Sequence, residues 1–329
     1  MSANIAIFVP HNGCRNQCSF CNQFSITSQL EQPTAESVRT TVENALGYLG
    51  DDAKEAEIAF FGGSFTAVER SYMTELLEAA YPYVRDKQVK GIRLSTRPDA
   101  IDDDVLELLK RYGATTIELG AQSMCDEVLS FNRRGHTAED VKSASRLIRS
   151  YGFSLGLQMM TGLAKADDKK DVETCEELIA LNPDFVRIYP TIVLKNTYLA
   201  QLYEQGEYQP QSVEDAVDLC CKLLVMFGNA GIPVIRLGLH SIDEESYVAG
   251  PWHSAFGELC KSQIFYNKVA EKIDRKGRYN LYVSPRMVSK AVGQNRSNIK
   301  RFSSNGIDVT VCSDIKLNDE EFIIEEVKL

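Results

Sequence analysis

Short apolar runs alternate with amphipathic stretches along most of this 329-residue chain, and that rhythm decides what it can fold into. Strands are expected at 4–10, 57–61, 91–95, 115–119, 154–159, 184–189 and 234–239. Helices are expected between them, at about 34–49, 69–86, 102–112, 138–151, 168–181 and 212–230. In the stretch 102–112, Val105, Leu106, Leu108 and Leu109 recur near helical spacing with charges between them, and Asp102 to Asp104 supply a cap and favourable negative charge at its start. Strand and helix in turn imply parallel strands joined by right-handed crossovers. The expected fold is therefore α/β, a partial TIM-like barrel of (β/α)6 type whose chemistry sits at the C-terminal strand ends. After about residue 250 the rhythm changes to a long basic helix at 253–276, a strand at 280–284, two short helices around Gly293-Gln-Asn-Arg296, and strands near 308–313 and 321–327. The division expected is a barrel over 1–249 and a small α+β subdomain over 250–329. Hydrophobic residues at 44% and charged residues at 25% suit a soluble chain with a sizeable core.

Just after the first strand the chain reads His11-Asn-Gly-Cys14-Arg-Asn-Gln-Cys18-Ser-Phe20-Cys21, a C-x3-C-x2-C spacing. Cysteine thiolates hold iron–sulfur clusters, and a cubane cluster normally takes four of them. A loop that offers three leaves one iron open to bind and activate a small molecule. The spacing lacks the paired C-x2-C knuckles or trailing histidines of a structural zinc site, and the fourth cysteine of ferredoxin runs. The other six cysteines are scattered, which reads as reduced thiols rather than a disulfide framework.

With Phe20 in the aromatic slot before Cys21, this loop resembles the signature of the radical S-adenosylmethionine (SAM) superfamily. The resemblance implies a 4Fe–4S cluster on Cys14, Cys18 and Cys21, SAM chelating the fourth iron, and reductive cleavage to a 5′-deoxyadenosyl radical that abstracts hydrogen from substrate. Gly62-Gly63-Ser64 after the second strand resembles the glycine motif that takes the SAM amino group. Thr96-Arg97-Pro98-Asp99, Glu118-Leu119-Gly120-Ala121-Gln122-Ser123, Asn132-Arg133-Arg134-Gly135-His136-Thr137 and Tyr189-Pro190-Thr191 then follow in an order similar to the radical SAM half of the Elongator catalytic subunit, a tRNA-modifying enzyme. That similarity covers roughly residues 5 to 240. It implies cofactor contacts from Phe20, Gly62, Gly63, Ser64, Ser95, Gln122, Arg134 and Gln158, and catalytic candidates in His136 and Tyr189, each of which equally suits a structural role. Arginine fits a carboxylate contact because its fork pairs with both oxygens. Two positions depart from the pattern: Ser95 stands where the family has Glu, and Gln158 where relatives have His or Asp. Elongator proteins continue into an acetyltransferase domain for which 250–329 leaves no room, so acetyl transfer is not implied.

The chain is formally −10, yet between Lys261 and Arg301 eleven basic residues face two acidic ones, a local net of +9. Such asymmetry points to nucleic acid, here RNA, with a solvated face as the plain alternative. Strand, helix, Gly293-Gln-Asn-Arg296, helix, strand resembles the core of a KH RNA-binding module with Arg296 in place of the second glycine; plain helix–turn–helix packing fits as well. The N-terminus shows no secretory pattern and no apolar run long enough for a membrane span, so a cytoplasmic enzyme is expected. Its electrons would come from a donor such as flavodoxin or ferredoxin. Three functions follow: a radical SAM enzyme acting on RNA, most simply tRNA; the same chemistry on a tetrapyrrole or other small metabolite; or an iron–sulfur binding or sensor module without catalysis.

Overall fold

The computed structural model describes residues 3–10, 17–22, 31–239, 242–319 and 321–327. Its contacts sort into two compact units, Met1–Ser212 with Val225–Trp252, and Val213–Leu224 with His253–Leu329.

In the first unit the expected strands all form: β1 (Asn4–Val9), β2 (Glu57–Gly62), β3 (Gly91–Thr96), β4 (Ala114–Gln122), β5 (Ser154–Thr161), β6 (Phe185–Pro190) and, after the two-residue β7 (Val193–Leu194), β8 (Val234–Leu237). They make a seven-stranded sheet in the order β1-β2-β3-β4-β5-β6-β8, every pair parallel. The sheet curls into a partial TIM-like barrel. Between its strands run α1 (Ala35–Leu49), α2 (Arg70–Arg85), α3 (Asp103–Arg111), the short α4 (Asp126–Phe131), α5 (Ala138–Ser150), α6 (Asp168–Ala180) and α7 (Tyr198–Glu204), and the helix α8 (Val213–Asn229) belongs to the second unit up to Leu224 and to the first from Val225. Helix starts are set by side chains that satisfy otherwise free N–H groups. Asp102 accepts from Val105 N–H at 2.8 Å, Asp167 from Lys170 N–H at 2.8 Å, and Thr137 and Asp140 close a reciprocal capping box. In α3 the apolar stripe seen in the sequence is the buried face: Val105, Leu106 and Leu109. Short α4 and α7 were not foreseen, because six or seven residues carry too little periodicity to register.

Helix-facing positions of the strands are apolar and buried, Ile58, Phe60, Ile92, Leu94, Ile117, Leu119, Leu155, Leu157, Val186 and Ile188 among them. The alternate positions bear the polar side chains taken up below, as a period of two requires. Gly156 leaves room on that second face: a Cβ there would stand 2.4 Å from the Phe185 ring and 3.0 Å from Glu118 Cγ. The strand β9 (Tyr247–Ala249) pairs antiparallel with β7.

The second unit holds α9 (Phe256–Ala270), β10 (Gly277–Val283), α10 (Val288–Val292), α11 (Ser297–Ser304), β11 (Ile307–Ser313) and β12 (Phe322–Glu326). Its sheet runs β11-β10-β12, with β10 parallel to β11 and antiparallel to β12. Phe265, Tyr266, Val269, Leu281, Val283, Met287, Ala291, Phe302 and Val309 make its core. The helix expected over 253–276 is shorter at both ends. The His253 ring accepts from the Ala255 N–H at 3.0 Å ahead of the first turn, and beyond Ala270 five of the next six residues are charged, so the apolar stripe stops.

Candidate active site

The cysteine loop is seen through Cys18 and Cys21; Cys14 lies outside the described residues. Polar contacts from distant parts of the chain hold it. Ser19 N–H donates to Asn132 O at 3.1 Å and Ser19 Oγ to Asn132 Oδ1 at 2.6 Å. Asn132, fully buried, spends its amide on the carbonyls of Val128 and Ala164, both at 2.8 Å. Leu199 N–H donates to Ser19 O at 2.7 Å, and Asn22 Nδ2 to Lys195 O at 3.1 Å. Half-buried Phe20 packs into the cluster of Ala164, Val193, Leu199 and Tyr208.

Arg134 joins this loop to β4. Its Nη1 donates to Cys18 Sγ at 3.0 Å and its Nη2 to Gly120 O at 2.7 Å. At that level the β4–β5 register shifts between Gly120 and Gln122, and Gln122 takes a left-handed φ of +65°. A Cβ on Gly120 would come within 2.9 Å of Gln122 Nε2 and 3.3 Å of Arg134 Nη2, so only glycine lets these two groups close over the strand. Three buried polar atoms here find no partner among the described residues: Gln122 Oε1, Arg134 Nε and His136 Nδ1. An unpartnered buried polar group costs about 1–3 kcal/mol, and the three lie close along the chain, between Gln122 and His136.

Gly62, at φ +109°, closes β2 against β1: a Cβ would meet Val9 O at 3.1 Å, and Gly63 N–H donates to Val9 O at 2.7 Å. The expected Ser64 is buried, with its hydroxyl 3.0 Å from Thr96 Oγ1 and accepting from Arg97 N–H at 3.0 Å. It ties the glycine loop to the end of β3, where Arg97 and Asp99 form a forked ion pair.

The inner strand face carries a network that sequence reading left without a role. Glu118, fully buried, accepts from Arg93 Nη1 at 2.9 Å, Arg187 Nη2 at 3.0 Å and Gln158 Nε2 at 2.9 Å, and lies 2.7 Å from Arg187 Nε. Arg93 also pairs with Glu57, which accepts from the Thr115 and Thr116 hydroxyls at 2.6 and 2.7 Å. Burial pushes the Glu57 carboxyl up, but these hydroxyls and Arg93 outweigh it and leave the pKa lowered. The signal was present as polar residues or glycine at every second strand position, Thr116, Glu118, Gly120 and Gln122 on β4 for example. It was legible only once the strands were known to curl around that face.

Ser95 and Gln158 meet here: Gln158 Nε2 reaches Ser95 Oγ at 3.3 Å as well as Glu118. Tyr189 follows Arg187 on the inner face of β6, and burial raises its phenol pKa. His136 bonds the Ala121 carbonyl through Nε2 at 3.2 Å, beside a depression of about 450 Å³ lined by Asp126, Arg133, Thr137 and Asp140. Burial, and then the Arg134 charge, pull its pKa down to about 4.

The family model described as the radical SAM superfamily matches residues 8–178, and the radical SAM C-terminal domain model matches 183–265. The chain belongs to the radical SAM superfamily. It is an enzyme of that superfamily with Elongator-like relatives. A tRNA uridine(34) acetyltransferase of Methanocaldococcus jannaschii is 26% identical over 191 residues, 52% of this chain and 35% of that protein. Elongator complex protein 3 of Schizosaccharomyces pombe is 29% identical over 211 residues, 58% of this chain and 39% of that protein. The radical SAM chain thus spans little more than a third of the length of these relatives. An uncharacterized protein of M. jannaschii, 26% identical over 285 residues, is matched over 83% of this chain and 84% of its own length. Among solved structures, Elp3 of Methanocaldococcus infernus with an N-terminal deletion superposes with a TM-score of 0.62 at 22% identity, over 82% of this chain and 63% of that one, a likeness of fold. Among the described residues no helix is long and apolar enough to cross a membrane.

Proposed function

We propose that Cys14, Cys18 and Cys21 hold a 4Fe–4S cluster with SAM bound beside it, and that the enzyme modifies RNA, most simply tRNA. The observation that carries the cofactor part is Arg134, which donates to the Cys18 sulfur while its own Nε and the neighbouring Gln122 Oε1 find no partner among the described residues. When bound, the cluster and SAM would supply reductive cleavage of SAM and abstraction of a hydrogen from substrate. The chain's residues bind and orient. Arg134 offers a fork suited to a carboxylate. Gly62 and Gly63, free of side chains, let a ligand's amino group approach their backbone. The Gln158 amide nitrogen is committed to Glu118 and Ser95, which leaves Oε1 as an acceptor for a ribose hydroxyl. Phe20 anchors the cysteine loop on the apolar cluster around Leu199, and Ser64 fixes the glycine loop. His136 is neutral at pH 7, so it accepts at Nδ1 rather than acting as a cationic acid. Tyr189 keeps its proton and can donate it in a hydrogen bond. A small flavodoxin- or ferredoxin-type donor suits a cytoplasmic enzyme of this kind. The RNA part rests on the tRNA-modifying relatives and the basic segment 261–301.

The test is anaerobic. The reconstituted protein with SAM and dithionite should form 5′-deoxyadenosine, and Cys18→Ala should abolish it. A fully iron-loaded protein that makes none, and whose cluster spectrum ignores SAM, refutes the cofactor assignment.

A further inference from the structure

The turn that follows β5 is held more firmly than its length requires. Gly162 and Lys165 both have φ +68°, so two left-handed residues stand within four positions. Asp171 on α6, 1% exposed, accepts from Gly162 N–H at 2.8 Å. From the segment after α7, the buried Tyr208 donates its hydroxyl to Gly162 O at 2.7 Å. Both backbone polar groups of Gly162 are thus taken up by side chains that come from different parts of the chain. Lys170, beside Asp171, adds a bond from Nζ to Lys165 O at 2.8 Å. Neither Asp171 nor Tyr208 has a part in the cofactor contacts above.

What this turn presents is Ala164. Its carbonyl accepts from Asn132 Nδ2 at 2.8 Å, and with Tyr208 it belongs to the apolar cluster on which Phe20 rests. Asn132 takes both the Ser19 hydroxyl and the Ser19 N–H. A run of backbone and hydrogen bonds therefore leads from Asp171 through Gly162, Ala164 and Asn132 to Ser19, the residue after Cys18. Apolar packing leads by the same turn to Phe20, the residue before Cys21. An asparagine at 171 could make the bond to Gly162 without carrying a charge. The acid that stands there is instead balanced near neutrality: burial first, and then the Asp168 and Asp167 charges at the head of its own helix, raise its pKa to about 7 against the Gly162 bond. The Tyr208 phenol faces it across the turn, its own pKa raised by burial and then by the Asp171 charge.

We infer that Asp171 is a positioning residue for the cysteine loop: with Tyr208 it clamps Gly162, and so fixes Ala164 and Asn132, the supports of Ser19 and Phe20 between Cys18 and Cys21. The inference rests on the cluster assignment above and adds a control on that site. Opening of the turn lets water reach the carboxyl, and an ionised Asp171 gains more from water than a neutral one. The clamp is therefore strongest with the carboxyl neutral, and it weakens as pH rises through about 7. Breaking it frees the cysteine loop on one side while leaving the strands and their inner network in place.

The experiment reads the loop of the full chain in two ways. One is amide hydrogen exchange of a peptide covering 17–22 in cluster-free protein, and the other is the rate at which iron-loaded protein gives up iron to bathophenanthroline disulfonate. Asp171→Leu and Tyr208→Phe each strand one Gly162 group, so both rates should rise about tenfold over wild type. Asp171→Asn keeps an acceptor for Gly162 N–H and cannot ionise. Wild-type rates should therefore rise relative to Asp171→Asn by about tenfold between pH 6 and pH 8, any effect of pH on the thiolates being common to both. Leu106→Ala leaves a cavity under α3, outside this run of bonds; it should lower the melting temperature yet keep both rates within about twofold of wild type. Where Asp171→Leu does not fold, Tyr208→Phe carries the test. Rates unchanged by breaking the clamp, rates raised as much by Leu106→Ala, or a ratio to Asp171→Asn that ignores pH overturn the inference. A wild type that takes up no cluster refutes the cofactor assignment, and hydrogen exchange then decides the clamp by itself.

Discussion

Replacing Glu118 with glutamine tests the inner network most directly. The carboxylate is fully buried and takes two guanidinium groups and one amide at 2.7–3.0 Å. A carboxamide keeps the shape but has one acceptor oxygen and turns an N–H toward a guanidinium. Arg93 retains Glu57, but Arg187 loses its only carboxylate partner among the described residues. Breaking a buried pair by removing one member costs about 3–5 kcal/mol. Arg187, whose side chain is 15% exposed, can recover some hydration, so about 3 kcal/mol is expected. At roughly 2–4 °C per kcal/mol for a domain of this size, the melting temperature should fall by about 6–12 °C. Glu57→Gln is the internal comparison. Its other partners are the Thr115 and Thr116 hydroxyls, whose hydrogens can rotate to meet an amide, so its cost should be less than half. The assay is near-ultraviolet circular dichroism of cluster-free protein, without SAM, under argon. A Glu118→Gln melt within about 2 °C of wild type, or a larger loss in Glu57→Gln, would show that the inner network does not hold the strands as argued.

Gly120→Ala should weaken SAM binding at least tenfold in equilibrium dialysis, since the new Cβ displaces Gln122 Nε2 and Arg134 Nη2; undiminished affinity sinks the role of the β4 bulge. Asn132→Ala strands the Ser19 hydroxyl and the Ala164 carbonyl, so it should cost about 2–4 kcal/mol in a denaturant titration and lower the iron bound on reconstitution. His136 and Asp171 should pull stability in opposite directions with pH. The His136 pKa is depressed from 6.5 to about 4, so its contribution is present above pH 6.5 and lost as pH falls toward 4. The Asp171 carboxyl, pushed up to about 7 chiefly by burial, contributes stability that is full below pH 3.8 and lost as pH rises through 7. Asp171→Asn, able to keep the bond from Gly162 N–H, should therefore gain stability relative to wild type between pH 5 and pH 8, and a constant difference would contradict the buried ionisation.

The sheet was legible because its signal is local and repeated. Each strand is a short run such as 57–61 followed by a helix with its own cap, and neither needs tertiary knowledge to be seen. Cysteine spacing was legible for the same reason, being confined to a single loop. Glu118 was not, because a lone acid in Thr-Thr-Ile-Glu-Leu-Gly looks like any strand residue until Arg93 from β3 and Arg187 from β6 are brought to it. Asn132 was quoted in a motif, yet its task of holding Ser19, 113 positions earlier, is a long-range fact. The ends of α9 were overextended because the charged residues after Ala270 continue a helical composition while supplying no face to bury.

Ser95 shows how a departure from family pattern becomes intelligible in the fold. Ser95 and Glu118 are register partners on adjacent strands, and Gln158 Nε2 reaches both. The level at which the resemblance places a carboxylate on β3 therefore already holds one, on β4, tied down by two arginines and an amide. A small hydroxyl at 95 completes the Gln158 amide without adding a second buried charge, and two carboxylates so placed would disfavour each other's ionisation. What the arrangement fixes is the direction of one amide, its nitrogen toward Glu118 and Ser95. The buried Glu118 charge behind Gln158 thus sets which way that amide turns.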